Sequence, residues 1–457
     1  MPLLHGAKTV LIFFIATAIS GCAATDFKQV RREQHKQFLH ALDARTGAAM
    51  ADNATLSLED CIGIALKQNL ELQSARINQH IAGLERTIAF SGFLPRADIA
   101  VSQHRSRYRP EAYMGQYMVP LADQSIRQTT LSLQQPVFDP YTWFVYRIFQ
   151  NGEAIRELVT LRTRQRITLN ITALFYQYLS LEAAGEFLAA SLQQAQAVHD
   201  EVIKAHQYEI ARSADVADAV TLVTARRYQL SQNRRNLRQS RSELLEAMGL
   251  HPLRTLNISV SKKIISEPGA LVELIMSALL ARPEMSILDR RYAIEQDKAK
   301  LAITRFLPVL SAVGSLSHTT DSIVKYQTQW LGGLNGVMSL FSGFADINTY
   351  RAARAQAEKA FVKREQAGLM VMLQVQQAWL NLESAAELQV VSKNMLRARK
   401  ERLREQNALW QEGLIQHSER LEALAKRDEA RMQHSINEYR YQIAQATLLD
   451  VTGQGLE

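Results

Sequence analysis

The sequence predicts a mainly α protein in which long antiparallel coiled-coil helices carry a small β portion of four strands, the whole plan being written twice along the chain. Three observations lead there: the placement of the 10 prolines, a gapless internal repeat, and a period-two stretch after the first helix of each copy. The prolines stand at Pro2, Pro95, Pro110, Pro120, Pro136, Pro140, Pro252, Pro268, Pro283 and Pro308. None falls between Tyr141 and His251, and none follows Pro308. A proline inside a helix costs about 3 kcal/mol, so these two gaps are where long helices can form.

The pattern inside the gaps agrees. Leu174, Tyr178, Leu181, Leu188, Leu192, Ala195 and Val202 follow a 4-3 spacing, with Gly185 and His199 at its two weak positions. That spacing marks a coiled-coil seam. Val375, Trp379, Leu382 and Ala386 begin a similar stripe in the second gap. The first long helix is expected from about Tyr141 to Tyr208, on the order of 100 Å at ~1.5 Å per residue.

Leu58–Pro95 lies over Leu271–Pro308 without a gap. Leu58 meets Leu271, Ile62 meets Ile275, Ala65 meets Ala278, Glu71 meets Glu284, and Phe93-Leu94-Pro95 meets Phe306-Leu307-Pro308. Each copy is therefore read as a helix stopped by a proline. Alternating residues follow: Ile99 and Val101, then Leu131 and Leu133 beyond a polar loop holding Pro110 and Pro120; and Leu310, Ala312, Gly314 and Leu316, then Trp330, Leu334, Met338 and Leu340. Alternation of this kind marks strands with one apolar face. Each copy then runs helix, strand, loop, strand, long helix and return helix, ending at Gly249 and Gly453 as C-caps. The helix before the strands (Leu58–Gly92) and the return helix (Asp215–Met248) are each about half the long one, so a stacked pair would flank it along an antiparallel cylinder wall.

The amino terminus reads as an export signal. Lys8 supplies a positive charge, Val10–Ile19 is apolar but short for a span, and small residues follow. Ile19-Ser20-Gly21-Cys22 resembles a bacterial lipobox, which implies cleavage after residue 21 and a covalent lipid on Cys22, the one group expected in place of a cofactor. Multiple acyl chains make a stable anchor, and Ala23 in place of aspartate favours the outer membrane. An ordinary signal peptide with a chance cysteine is the alternative. Cys61, the other of two cysteines, reads as a small core residue. The formal net charge of +8 raises nucleic acid as a partner. However, Arg226, Arg227, Arg234, Arg235, Arg238 and Arg241 interleave with apolar positions on one helix, as a solvated face would, and export argues against nucleic acid.

Several motifs together resemble the TolC-like outer membrane efflux proteins. Leu56–Leu72 (LSLEDCIGIALKQNLEL) resembles the opening of the family's first copy, and Ala281-Arg282-Pro283-Glu284-Met285 that of its second. The Phe-Leu-Pro junctions, Leu131–Asp139 and Met338–Phe344 resemble its turns between helix and strand, with Asp139-Pro140 departing from the usual Asp-Gly. The likeness covers Leu56 to Gly453. It implies a homotrimer whose chains each give four strands to one outer-membrane β-barrel above a periplasmic helical tunnel, in a Gram-negative bacterium. The implied partners are a periplasmic adaptor, an inner-membrane pump and outer-membrane lipid. The organisation expected is a signal peptide (1–21), a lipidated tether (22–55), and two intertwined repeats (56–255 and 264–457).

The resemblance also marks the periplasmic tip. Gly413–Glu422 is similar to the family's tip turn and the acidic stretch after it, with Asp215-Val-Ala-Asp218 as the first-copy counterpart. Asp215, Asp218, Glu419 and Glu422 are the gate candidates, joined by Trp410 in place of a tip aromatic. Acids at i and i+3 share a helix face, and carboxylate rings constrict and select in pores. They equally suit helix N-termini, where the macrodipole favours negative charge. Tyr208, Arg212, Ser213, Gly413, Leu414 and Ser418 are the expected adaptor-docking tip. Ile415 stands where the family has arginine, which leaves Arg420 to compensate or not. No metal-site, phosphate-loop or nucleophile motif occurs, so no enzyme is expected. The rival reading is a periplasmic coiled-coil lipoprotein acting as a scaffold or adaptor, which explains the helices but not the duplicated strands.

Overall fold

The computed structural model describes residues 27–50, 55–259 and 269–455. The signal peptide, Cys22 and parts of the expected tether and inter-repeat boundary lie outside them. Helix α1 (Phe27–Ala49) is followed by strand β1 (Thr55–Leu56), α2 (Leu58–Gln68), α3 (Leu70–Ser91), β2 (Arg96–Arg105), β3 (Glu111–Met114), β4 (Tyr117–Pro120), β5 (Ser125–Phe138), α4 (Pro140–Gln207), α5 (Ser213–Ala247) and β6 (Asn257–Ile258). The second copy runs α6 (Leu271–Ala281), α7 (Pro283–Thr304), β7 (Val309–Thr319), β8 (Thr328–Val337), α8 (Ala345–Gln411) and α9 (His417–Val451).

The long helices fill the proline gaps. Pro140 sits in the first turn of α4, where its missing N–H costs nothing, and Asp139 accepts from the Tyr141 amide to cap it. The 4-3 seam is packed along its length, with Tyr178 and Ala195 buried. A second buried row, Ile167, Ile171, Phe175 and Leu179, gives α4 two packed faces, because it has helices on both sides.

Three expectations need correction. The helix read across Leu58–Gly92 is two helices, broken at Asn69, whose side chain accepts from the Glu71 and Leu72 amides and starts α3 as an N-cap. In the second copy Arg282-Pro283 makes the same break, with proline opening α7. The segment expected as a tether contains a 23-residue helix, α1, held at its end where Thr46 Oγ1 accepts from the His251 amide and Ala49 and Met50 meet the core. The polar loop around Pro110 and Pro120 contains the hairpin β3–β4, turned at Gly115.

These breaks make the middle of the molecule. Gly249 and Gly453 end their helices at φ +76° and +75°, the left-handed region glycine tolerates. Each lies directly on the opposing break: a Cβ on Gly249 would stand 2.5 Å from the Gln68 carbonyl oxygen, and one on Gly453 3.0 Å from Ala281 C and Arg282 N. Two equivalent cores form there. Cys61, Ala65 and Leu72 pack with Leu244 in one, and Leu274, Ala278 and Met285 pack with Leu448 in the other. Cys61 is fully buried and free, and burial pushes its thiol up to about 12.

The helices form one layer. Above the middle the neighbours run α3–α4–α7–α8, and below it α5–α4–α9–α8. The main sheet has the order β2-β5-β7-β8, antiparallel throughout. Because β2 follows α3, β5 precedes α4, β7 follows α7 and β8 precedes α8, sheet and helix layer share one left-to-right order. Among the described residues no helix is long and apolar enough to cross a membrane.

Candidate functional site

Register divides the sheet into two unlike faces. Residues opposite one another in antiparallel strands point the same way. Ile99, Leu131, Leu316 and Trp330 form one such row, and Ala97, Leu133, Gly314 and Gly332 the next. On the other face Asp98, Ser132, Ser315 and Leu331 are neighbours, as are Ala100, Thr130, Ser317 and Gln329, so that face is polar apart from Leu331 and Ala100 in these rows. The apolar face is bare: Trp330 and Leu334 are each 81% exposed. Exposed Tyr141, Trp143, Phe341 and Phe344 ring its base, and Tyr108, Tyr113, Tyr117 and Tyr326 its far end. A 10-residue strand such as β2 reaches ~33 Å, or roughly 24 Å when tilted by ~45°, close to the apolar band of an outer-membrane barrel.

The layer is also open at both sides. β2 and β8 each have one unpaired edge, and below them α3 and α8 are not packed neighbours. Their flanks carry exposed apolar residues at coiled-coil spacing: Leu70, Ile77, Ile81, Leu84 and Ile88 on α3, and Val362, Leu369, Leu373 and Leu380 on α8. Lower down, α5 packs chiefly on α4, through Asn233 among others, and leaves Arg227, Arg234 and Arg238 exposed.

At the end remote from the sheet, two turns close the helix pairs. In the first, Glu209 takes φ +62° and the Ile210 amide bonds Ala205 O. In the second, Gly413 takes φ +75° and the Leu414 amide bonds Leu409 O. Tyr208, Arg212, Ser213, Gly413 and Leu414 are exposed there, and Ser418 is half-buried, its amide bonded to Glu201. Asp215 accepts from the Arg212 backbone and guanidinium. Those bonds hold its carboxyl below the usual range, chiefly the side-chain one. Glu422 is paired with Lys426 at 2.5 Å, whereas Asp218 and Glu419 are exposed. Two of the four candidate acids thus serve their own helices. Within one chain the structure brings each pair to its own turn.

Sequence reasoning missed an ion network at the middle. Arg162 of α4 bridges Asp450 of α9 at 2.5 Å and Glu284 of α7 at 2.6 Å, and Arg282 joins Glu284 and Gln374 of α8. Burial raises the Glu284 carboxyl, but hydrogen bonds from Arg282 and the charge of Arg162 outweigh that and hold it below its usual range. Arg282 and Glu284 appeared together in a motif, but Arg162, far off in the chain on α4, carried no local signal.

The comparisons agree with this architecture. Residues 274–454, the second copy, match the outer membrane efflux protein family. Over these residues the chain is similar to the outer membrane efflux proteins. Its fold is that of the Campylobacter jejuni CmeC outer membrane channel, with TM-score 0.74 and 18% identity over 88% of this chain and 86% of that one. The outer membrane protein VceC of Vibrio cholerae gives 0.71 and 16% over 88% and 97%, and the Neisseria gonorrhoeae MtrE outer membrane channel, in its open state, 0.67 and 16% over 88% and 89%. None of the curated proteins matches the chain.

The chain departs from the family resemblance at Ile415, and the structure shows what stands nearby. Arg420 lies over the Trp410 ring at 4.5 Å and donates from Nε to Asn407 Oδ1 at 2.9 Å, with His417 also against the indole. A guanidinium on an aromatic face is attractive, so Arg420 ties the first turn of α9 to the last turns of α8.

Proposed function

We propose that three copies of this chain close into a passive conduit through the outer membrane and periplasm, the exit duct of a tripartite efflux or type I secretion assembly. The observation that carries this reading is the open layer whose strands and helices share one order. An unpaired strand edge is not tolerated in lipid, so only joining the β8 edge of one copy to the β2 edge of the next removes both edges. A head-to-tail contact of this kind closes as a ring. The apolar sheet face then meets lipid and the polar face lines the bore.

Charge on the lower flanks supports the same joining. Exposed Arg238 on α5 and exposed Glu387 on α8 both stand roughly 36–38 Å from their turns at ~1.5 Å per residue. Arg234 is close to Arg238, and Glu383 to Glu387, one turn away on each helix. The arginine row read as a solvated face thereby becomes half of a subunit contact. A scaffold lipoprotein without a channel would have no use for the two-faced sheet.

In this reading the tip acids Asp215, Asp218, Glu419 and Glu422 narrow the periplasmic mouth, Trp410 and Arg420 hold the α8–α9 turn, and the exposed turns around Tyr208 and Leu414 dock a periplasmic adaptor linked to an inner-membrane pump. Lipid on Cys22 anchors the chain; intact mass of the mature amino-terminal peptide tests it. The deciding experiment is single-channel conductance of the purified protein in planar bilayers, wild type against Glu419→Ala/Glu422→Ala. Small cation-selective steps that grow in the variant are expected. Steps unchanged by the variant refute the gate, and a folded trimer that never conducts refutes the conduit.

A further inference from the structure

We infer that the upper wall holds a binding station for amphipathic organic anions, built from α4, α7 and α8 of a single chain. A groove of about 500 Å³ opens there, within the range of small-molecule sites. Ile155, Val159, Leu288 and Ile294 form its half-buried apolar floor, and Arg156, Arg291, Lys359 and Lys363 stand exposed around it. The only acid in its lining, Glu295, is already paired with Lys298 at 2.8 Å. Among the described residues none of the four cations has an ion pair or a side-chain hydrogen bond. Elsewhere on these helices Arg162, Arg147 and Arg364 pair with Asp450, Asp297 and Asp289. Four unmatched charges around one apolar floor call for a ligand with both an anionic group and an apolar body.

Depth excludes a membrane lipid headgroup as that ligand. Arg291 lies 13 residues from the upper end of α7, Arg156 16 from that of α4, and Lys363 18 from that of α8. At ~1.5 Å per residue the groove is roughly 20–27 Å below the base of the sheet, beyond a headgroup layer several Å thick. The ligand must arrive through water.

The groove also shares a face with the tip. Lys363 and Asn381 are 18 residues apart, five whole helical turns at ~3.6 residues each, so they project alike. Asn381, Ser384 and Leu388 border a second groove with Asn437, Arg440 and Ala444 of α9, and at helical spacing that α9 face leads down through Gln433, Glu429 and Glu422. Given the conduit reading, on which the role of the station rests, cargo passing the mouth travels along this face to the groove. Asp215 and Glu422 have their own cations, so at the mouth Asp218 and Glu419 are the acids that favour cations, slowing an anion's entry without barring it.

The test uses two dyes that differ in one charge, 8-anilinonaphthalene-1-sulfonate and uncharged N-phenyl-1-naphthylamine, titrated by fluorescence into the full-length trimer in nanodiscs. In Arg156→Gln/Arg291→Gln/Lys359→Gln/Lys363→Gln the sulfonate dye should bind about tenfold more weakly, with a flatter salt dependence, while the uncharged dye is unaffected. Lys359→Gln and Lys363→Gln alone should each show part of the loss, so the result does not hang on the fourfold variant folding. Equal sulfonate binding in all variants, or parallel losses for both dyes, overturns the station. Bilayer conductance on the same samples separates the two proposals: wild type that binds the dye but never conducts overturns the conduit and leaves the station standing.

Discussion

Three glycines share nearly one backbone conformation and differ only in what surrounds them, which makes their alanine variants a controlled series. Gly413, Gly453 and Gly249 have φ of +75°, +75° and +76°. An alanine in that conformation costs about 1 kcal/mol, partly offset because alanine also restricts the unfolded chain. At Gly413 nothing lies within 4 Å of the added Cβ, so Gly413→Ala should cost that and no more. At Gly453 the Cβ meets Ala281 C and Arg282 N at 3.0 Å, and a shift of a few tenths of an ångström adds a modest overpacking term of about 1 kcal/mol. At Gly249 the contacts are 2.5 Å to Gln68 O and 2.8 Å to Gln68 C. Both are backbone atoms at the α2–α3 break and cannot turn aside. Overpacking there belongs at the upper end of its range, ~3 kcal/mol or more. Thermal unfolding followed by helical circular dichroism should rank the variants Gly413, Gly453, Gly249 in increasing damage. A Gly413→Ala protein as destabilised as Gly249→Ala would refute the argument that the middle of the wall is held by helix ends seated on helix breaks.

Other outcomes follow from the same geometry. Arg162→Gln strands the Asp450 carboxylate, which is 4% exposed, and should cost about 3 kcal/mol, the low end for a broken buried pair because Arg162 itself keeps 24% exposure; denaturant titration measures it. Glu284 has a folded pKa held below its ordinary 4.5. Its contribution is therefore complete above about pH 4.5 and lost as pH falls through the depressed value, so the unfolding midpoint of wild type should drop below pH 4.5 more steeply than that of Glu284→Gln. Leu316→Arg on the apolar sheet face should cost ~2–4 kcal/mol of barrel stability, whereas Ser315→Arg on the polar face should be tolerated; heat-resistant trimer on gels distinguishes them. Glu387→Arg should weaken the proposed trimer and Arg238→Glu in the same chain should restore it, which sedimentation can follow.

Much of this was legible because proline and glycine act locally. Pro140 and the proline-free run after it marked α4 almost to the residue, and Gly249 and Gly453 marked the ends of α5 and α9. The breaks at Asn69 and Arg282 were missed for a physical reason: apolar spacing runs through them, and only the capping role of Asn69 and proline at the first turn of α7 betray them. Helix α1 escaped because its Lys- and Arg-rich surface has almost no packed face to leave a period. At the tip, the acids were visible as i, i+3 pairs, but their immediate partners Arg212 and Lys426 were not foreseen. Arg420 over Trp410 depends on how the turn at Gly413 brings α9 back against α8, a matter of three dimensions that spacing along one helix does not encode.

The open layer has a genetic consequence. In the proposed ring each chain offers two different edges, so a copy spoiled on one edge still joins a healthy neighbour through the other and leaves the ring unclosed. If intact and spoiled chains are made in equal amounts and mix at random, roughly one ring in eight contains three intact copies. An allele such as Glu387→Arg should therefore act as a dominant poison of the wild-type gene in the same cell, while a mutation that keeps the chain from folding at all should be recessive.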